Sequence, residues 1–374
     1  MALIARSQQA GFTIIEAMVG LTLSAIITLG ITQVFVANSE TYNLLVGQSA
    51  MQESGRFALI RLSRSLHSAG YKGCFSSTDE DVYTTFVPDV PYEFDLSRGV
   101  VGYEGETSGW NPNIETVLPK TVSGSDTNVY DANGTSAGNG INTDGILRGT
   151  DIITARHVGS KEHRLAISMP TSNEDVDTVT TDFGFGIDHM ALIHDCEKGT
   201  IFRVTGFGGG SEVQHADTVD ADGYTNSVAR LAQFNTFETD AYVSAIETNT
   251  YYIAEATGKN NVGQRPMSLW VKSGVAAPAE LVEGIEDLQI KYGVDTDSDD
   301  VPNRYVDADS IVNFADVVTL RLTVVATSVD DVGAQTTPTH GCLADSGRQY
   351  CRAGESIDGV LRRAFTQTVN LRNR

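Results

Sequence analysis

Ala10-Gly11-Phe12-Thr13-Ile14-Ile15-Glu16 opens an apolar run that continues to Ala37. One charged residue, Arg6, precedes the Gly11–Phe12 junction, and nothing from Ala17 to Ala37 is charged. A helix over that stretch is long enough to cross a hydrocarbon core of about 30 Å. Glu16 stands at its mouth. An ionised carboxylate carried towards the bilayer centre costs on the order of 2.5–3.5 kcal/mol, so keeping one there implies a cation to answer it. Cleavage after Gly11 would supply that cation as the new amine of Phe12, one helical turn from Glu16. On a staggered neighbouring helix the same amine would meet the glutamate of the next subunit. An ordinary secretory signal fits less well, because a cut after Ala37 puts bulky Phe35 where a small residue is wanted. A plain membrane anchor, with Glu16 snorkelling at the interface, is the other simple alternative.

Beyond Ala37 the chain turns polar but keeps helical spacing. Leu44, Met51, Gly55, Ala58, Leu62 and Leu66 form one stripe, with Glu53, Arg56, Arg61 and Arg64 on the other side. No proline intervenes before Tyr83, so the spacing predicts one helix from Phe12 to about Ser68, about 85 Å long. Gly20, Gly30 and Gly47 are its soft points, and Gly70 and Gly73 its stop signals. Phe57 and Ile60 fall on the charged side. Packing against neighbouring subunits would use them, although isolated surface hydrophobes are also common. The organisation predicted is a leader (1–11), an apolar half-helix (12–37), an amphipathic half-helix (38–68) and a β-rich globular part (69–374).

After Cys74 short runs rich in Val, Ile, Thr, Tyr and Phe recur: Asp151–Val158, Met190–His194, Thr200–Phe207, Thr250–Ala256, Ser268–Lys272, Leu288–Tyr292 and Val317–Thr327. Thr121–Asp144 and Glu212–Asn226 are polar and glycine-rich, and read as long surface loops. The 374 residues are 41% apolar, ample for one large domain or two moderate ones. With 48 acidic against 26 basic side chains the net charge is −22. That balance favours solubility and disfavours direct nucleic-acid binding, which needs a basic footprint. The cysteines, Cys74, Cys196, Cys342 and Cys351, all lie beyond the span and so in an oxidising compartment. Of the three possible pairings, a local Cys342–Cys351 bridge is favoured, which leaves Cys74–Cys196 to tie the helix end to the sheet. Each bridge is worth about 2–5 kcal/mol in the chain-entropy model.

Chemistry in the globular part is sparse. Asp295, Asp297 and Asp299 alternate as the first three ligands of a calcium loop do, with the Val301 carbonyl as a fourth. Against this, Asp300 stands where the turn glycine is expected and Val306 where a bidentate glutamate is expected, so a solvated acidic turn competes with a structural calcium site. His194-Asp195-Cys196-Glu197 reads as disulfide surroundings more readily than as a metal or thiol site. Gly206, Gly208, Gly209 and Gly210 lack the following Lys-Ser or Lys-Thr of a phosphate cradle. No catalytic constellation emerges, no cofactor beyond calcium is expected, and an enzyme is not predicted.

Gly11-Phe12-Thr13-Ile14-Ile15-Glu16 resembles the N-terminal signal of type IV pilins and pseudopilins. The Gln52–Ala58 and Ala69–Cys74 blocks, Asp195-Cys196 with Phe202–Thr205, Glu280–Gln289 with Tyr292–Asp295, and Phe365–Arg374 are similar to the PilW family of type IV pilus minor pilins. The resemblance implies an α+β pilin-like fold, with a long N-terminal helix packed on an antiparallel sheet bearing large loops. It also implies leader cleavage between Gly11 and Phe12 by a prepilin peptidase, N-methylation of Phe12, and docking through Phe12 and Glu16. The family's task is priming of pilus assembly at the inner membrane and residence at the fibre tip, in support of twitching motility, adhesion or DNA uptake. Expected partners are other minor pilins, the major pilin, a tip adhesin and the inner-membrane assembly platform. A minor pseudopilin of a type II secretion system and a membrane-anchored periplasmic adhesin are the alternatives.

Overall fold

The computed structural model describes residues 13–74, 82–87, 95–96, 98–106, 110–111, 146–169, 171, 175–218, 225–227, 235–274, 276–334, 344–345, 348–349 and 359–373. Helix α1 runs without interruption from Ile14 to Ser68. Its N-terminal part, through Val46, is exposed along its whole length, and Gly47 is the first buried residue. Ser24, Thr28, Thr32 and Thr41 each donate a hydroxyl to the carbonyl four residues back. Every one of these polar side chains is thereby satisfied within the helix, as a segment in lipid requires. The C-terminal half buries Met51, Gly55, Ala58, Leu59, Leu62 and Leu66, which is the predicted stripe without Leu44 and with Leu59 added. Gly70 and Gly73, both at φ +79°, turn the chain out of the helix.

Ten main strands come after it: β1 (Val100–Gly105), β2 (Ile152–Val158), β3 (Met190–His194), β4 (Gly199–Arg203), β5 (Tyr242–Glu255), β6 (Met267–Ser273), β7 (Ala279–Glu283), β8 (Ile285–Val294), β9 (Val317–Thr327) and β10 (Arg362–Asn370). The 14-residue β5 is the spine of a ten-stranded sheet. Its start pairs with β3, its middle with β2 and its end with β6, all antiparallel. A parallel contact between Val82–Thr84 and β4 closes one edge.

Gly284 separates β7 from β8 at φ +78°. A Cβ there would lie 2.8 Å from Val329 Cγ2 and 3.0 Å from the Thr327 carbonyl. At this corner the chain leaves the first sheet, where β7 pairs with β6, and enters a second. The second sheet has four strands, with β8 and β10 on either side of β9 and Arg304–Val306 on the outer edge of β8. Helix α1 lies over both sheets, so one core holds its buried stripe together with Ile153, Ile253, Leu269, Leu288, Leu320 and Val369. Phe365 of β10 fills the space over Gly55, where a Cβ would sit 2.4 Å from the ring.

Three expectations change. Thr200–Phe207 is not one strand: β4 ends at Arg203, and Gly206–Gly208 joins Glu212–Gln214 and Val176–Asp177 in a separate small sheet. The described part of Glu212–Asn226 is no simple surface loop. Asn226 is fully buried, takes the Arg203 N–H at 2.9 Å and the Thr85 hydroxyl at 2.8 Å, and donates to the Arg203 carbonyl at 2.8 Å. Finally, β1, β7 and β10 are strands that the apolar runs did not mark; β10 buries little beyond Val369. Thr121–Asp144, Cys342 and Cys351 lie outside the described residues.

Candidate functional site: the helix entrance, the bridge and the acidic turn

Gly11 and Phe12 lie outside the described residues, and the entrance to the helix is described from Thr13 onward. Thr13 is the N-cap of α1 and forms a capping box with Glu16. The Thr13 hydroxyl donates to Glu16 Oε2 at 2.8 Å and the Thr13 N–H to the same oxygen at 3.0 Å, while Glu16 N–H returns a bond to Thr13 Oγ1 at 3.3 Å. The carboxylate is thus held over the first turn, where the helix dipole favours negative charge. The Thr-x-x-Glu spacing is a capping signal in its own right, one that a reading by charge and span length passes over. Phe57 and Ile60 are 43% and 51% exposed, and the Arg61 guanidinium sits 5.4 Å from the Phe57 ring centre.

Cys74, just past the helix, is bridged to Cys196 in the turn between β3 and β4. The Asp195 carboxylate shapes that turn by accepting the N–H groups of Glu197 and Lys198 at 3.2 and 3.0 Å. Beneath the bridge, His194 is buried, with Nδ1 3.7 Å from Cys74 Sγ.

Asp295, Asp297 and Asp299 converge, each bringing a carboxylate oxygen within 4.8 Å of the others. Burial raises the Asp295 carboxyl, but the N–H groups of Asp300, Asp297 and Ser298 outweigh it and hold the group below its ordinary value. Asp300 takes φ +65°, the left-handed conformation that the sequence pattern expects of a glycine there. Val301 N–H is bound to Asp299 Oδ1 at 2.9 Å. Asn303, not singled out from sequence, reaches Asp297 Oδ1 at 3.2 Å, and its own oxygen takes the Thr296 N–H.

A second acidic group had no sequence signal at all. Asp151, Glu104 and Asp287 are buried where the two sheets meet. Asp151 accepts Gly105 N–H from the first sheet at 2.9 Å and Ile290 N–H from the second at 2.7 Å. Burial, then the nearby Glu104 carboxylate, pushes the Asp151 carboxyl well up. Burial likewise raises Asp287 to about 7, against a hydrogen bond from Gln289.

An apolar helix projecting from a domain built on two main sheets, with one carboxylate in its first turn, defines an α+β protein of pilin-like architecture. Residues 6–32 match the prokaryotic N-terminal methylation motif, and residues 250–373 match Type IV Pilus-assembly protein W. The two matches support assignment of the chain to the PilW family of type IV pilus proteins. The second match runs from the middle of β5 past the end of β10, and so includes the Gly284 corner and the strands beneath α1. No curated protein matches the chain significantly.

Proposed function

We propose that the chain is a minor pilin of a type IV pilus, a structural and non-catalytic subunit of the complex that primes fibre assembly and stays at its tip. The observation that carries the reading is the N-terminal part of α1: exposed throughout, uncharged from Ala17 to Ala37, with the hydroxyls of Ser24, Thr28 and Thr32 bonded to the helix's own carbonyls, and bearing Glu16 at its entrance. Before assembly this segment holds the subunit in the inner membrane with the globular part in the periplasm. Peptidase cleavage frees the Phe12 amine, which is then methylated. In the fibre Glu16 gives up its bonds to Thr13 and pairs with the Phe12 amine of an adjoining pilin, while Gly20 and Ser24 permit close helix contact. Other minor pilins, the major pilin, a tip adhesin and the assembly platform are the partners this requires.

Glu16→Ala tests the mechanism. The variant is expected to be inserted and cleaved normally, with Phe12 as its mature N-terminus by mass spectrometry, but to leave few surface fibres. Normal fibre counts would remove Glu16 from docking, and a mature chain that does not begin at Phe12 would remove the pilin reading itself.

We propose further that the Asp295 turn takes Ca²⁺ as a structural ion, through Asp295, Asp297, Asp299 and the Val301 carbonyl. Convergence of the three carboxylates supports this, as does the left-handed Asp300, which removes the missing-glycine objection. Carboxylate and carbonyl oxygens suit this hard cation. Thermal unfolding of the full chain in detergent, in Ca²⁺ and in chelator, is the measurement. A midpoint several degrees higher in Ca²⁺ is expected, with the difference lost in Asp297→Asn/Asp299→Asn; equal midpoints would overturn the site.

A further inference from the structure

The surroundings of the Cys74–Cys196 bridge are unequal at its two ends. Both cysteines are exposed, so an external thiol can reach the bond. On the Cys74 side, the His194 Nδ1 lies 3.7 Å from the sulfur. A disulfide sulfur can only accept, so this contact as a hydrogen bond places the imidazole proton on Nδ1. The ring is held in place. A Cβ on Gly73 would come within 2.7 Å of His194 Cε1, so the Gly73 backbone lies directly against the imidazole. Tyr242 covers another side, its ring centre 6.3 Å away. His194 is 1% exposed and its Nε2 has no hydrogen-bond partner among the described residues. Burial lowers the basicity of the ring, with Glu162 and Asp195 opposing, and a neutral ring with its proton on Nδ1 matches the contact.

The Cys196 side is different. Cys196 occupies the turn between β3 and β4 at φ +47°, next to exposed Glu197. The Asp195 carboxylate is engaged by backbone N–H groups and by Lys198 Nζ at 3.7 Å.

We infer that the Cys74–Cys196 bridge is a thiol–disulfide exchange site for a dithiol, which attacks Cys196 while Cys74 departs as a thiolate held by His194. In the forward step the attacking thiolate forms a bond to Cys196 Sγ and the Cys196–Cys74 bond breaks. The electron pair stays on Cys74 Sγ, where the N–H of His194 stabilises it. The second thiol of the dithiol gives its proton to Cys74 and attacks the mixed disulfide, releasing Cys196 as a thiolate that takes a proton from water. The protein disulfide is reduced by two electrons and the dithiol is oxidised to a cyclic or intramolecular disulfide. A leaving group made a weaker base leaves faster, and a donor already in place has nothing to reorganise when the charge develops. The same donor favours the reverse reaction, in which the Cys74 thiolate attacks a mixed disulfide on Cys196. The bridge that closes the end of α1 onto the sheet is therefore directional in both its making and its breaking.

The test uses the full chain in detergent, fully oxidised, with glutathione as a single-thiol probe and dithiothreitol as the dithiol. Brief exposure to glutathione, acid quenching and peptide mass spectrometry are expected to place the adduct on Cys196. An adduct on Cys74, or on both sulfurs equally, overturns the proposal, and this arm needs no variant. For the rate, His194→Phe is expected to slow reduction by dithiothreitol about tenfold, the worth of a hydrogen bond to a charged group. His194→Asn, which can return a donor near the Nδ1 position, should recover most of that loss. Equal rates for wild type and His194→Phe, with both folded by circular dichroism, overturn the role of His194.

Discussion

Glu16 and Asp287 are both carboxylates in poor places for charge, and the chain treats them in opposite ways. Glu16 is kept at a helix start and given two donors from Thr13. Asp287 is buried between sheets, with Gln289 donating to it at 2.9 Å and a proton affinity raised to about 7 by burial. The raised value sets the sign of the pH effect. The folded chain binds the Asp287 proton more tightly than the unfolded chain does, so there is no penalty below about pH 4, where both states are protonated. Stability falls as pH rises from there to about 7, and above that the full penalty remains. The rise from the ordinary 3.8 to about 7 corresponds to about 4 kcal/mol. Asp151 acts with the same sign, since burial and Glu104 raise it too. Asp287→Asn is therefore expected to raise the unfolding midpoint at pH 8 and to leave it nearly unchanged at pH 3. A variant no more stable than wild type at pH 8 would show that Asp287 carries no such penalty. Gly102 makes a steric argument at the same scale, because a Cβ there would lie 1.7 Å from the Tyr292 hydroxyl oxygen of the facing sheet. Gly102→Ala should cost about 1–3 kcal/mol in chemical denaturation, and a change under half a kilocalorie would mean that the sheets yield easily there.

At the scale of elements, the joint between helix and sheets is held at both ends by different means. Near the membrane side Gly47 packs against Val332 and Ser328, and Gly55 against Phe365. At the far end Gly70 N–H bonds the Arg156 carbonyl at 2.8 Å, and the Cys74–Cys196 bridge closes a separation of 122 residues in sequence. Cys74→Ser/Cys196→Ser is expected to lower stability by about 2–5 kcal/mol, read from denaturant midpoints, while the β-sheet signal of the folded state persists. Loss of fold at room temperature would mean that the bridge, rather than the buried stripe, is what joins α1 to the sheets. The Gly284 corner belongs to this scale as well. Its left-handed backbone and its closeness to the Thr327 carbonyl admit no side chain without movement, so the family-like Glu280–Gln289 block marks a change of sheet.

For the molecule as a whole, the apolar part of α1 and the globular domain are thermodynamically separate. Residues 13–46 are exposed, so they contribute membrane affinity without contributing to the domain's core. A chain beginning at Ser39 should unfold within about 1–2 °C of the full chain, and a larger fall would reveal contacts between the apolar segment and the domain.

The sequence alone determined the length and continuity of α1, its apolar and buried stretches, the place of Glu16 at its entrance, and most of the strands whose apolar runs are long. These rest on period and composition, which are local properties of the chain. Only the tertiary structure decided that the two main sheets meet at Gly284, that Asn226 and Asp151 are buried ties between distant strands, that β10 lies under Gly55, and that His194 sits beneath Cys74. Each of these depends on groups far apart in sequence coming within hydrogen-bond or van der Waals reach. No local periodicity records such pairings, because they are set by how the layers pack once the hydrophobic surfaces have closed on one another.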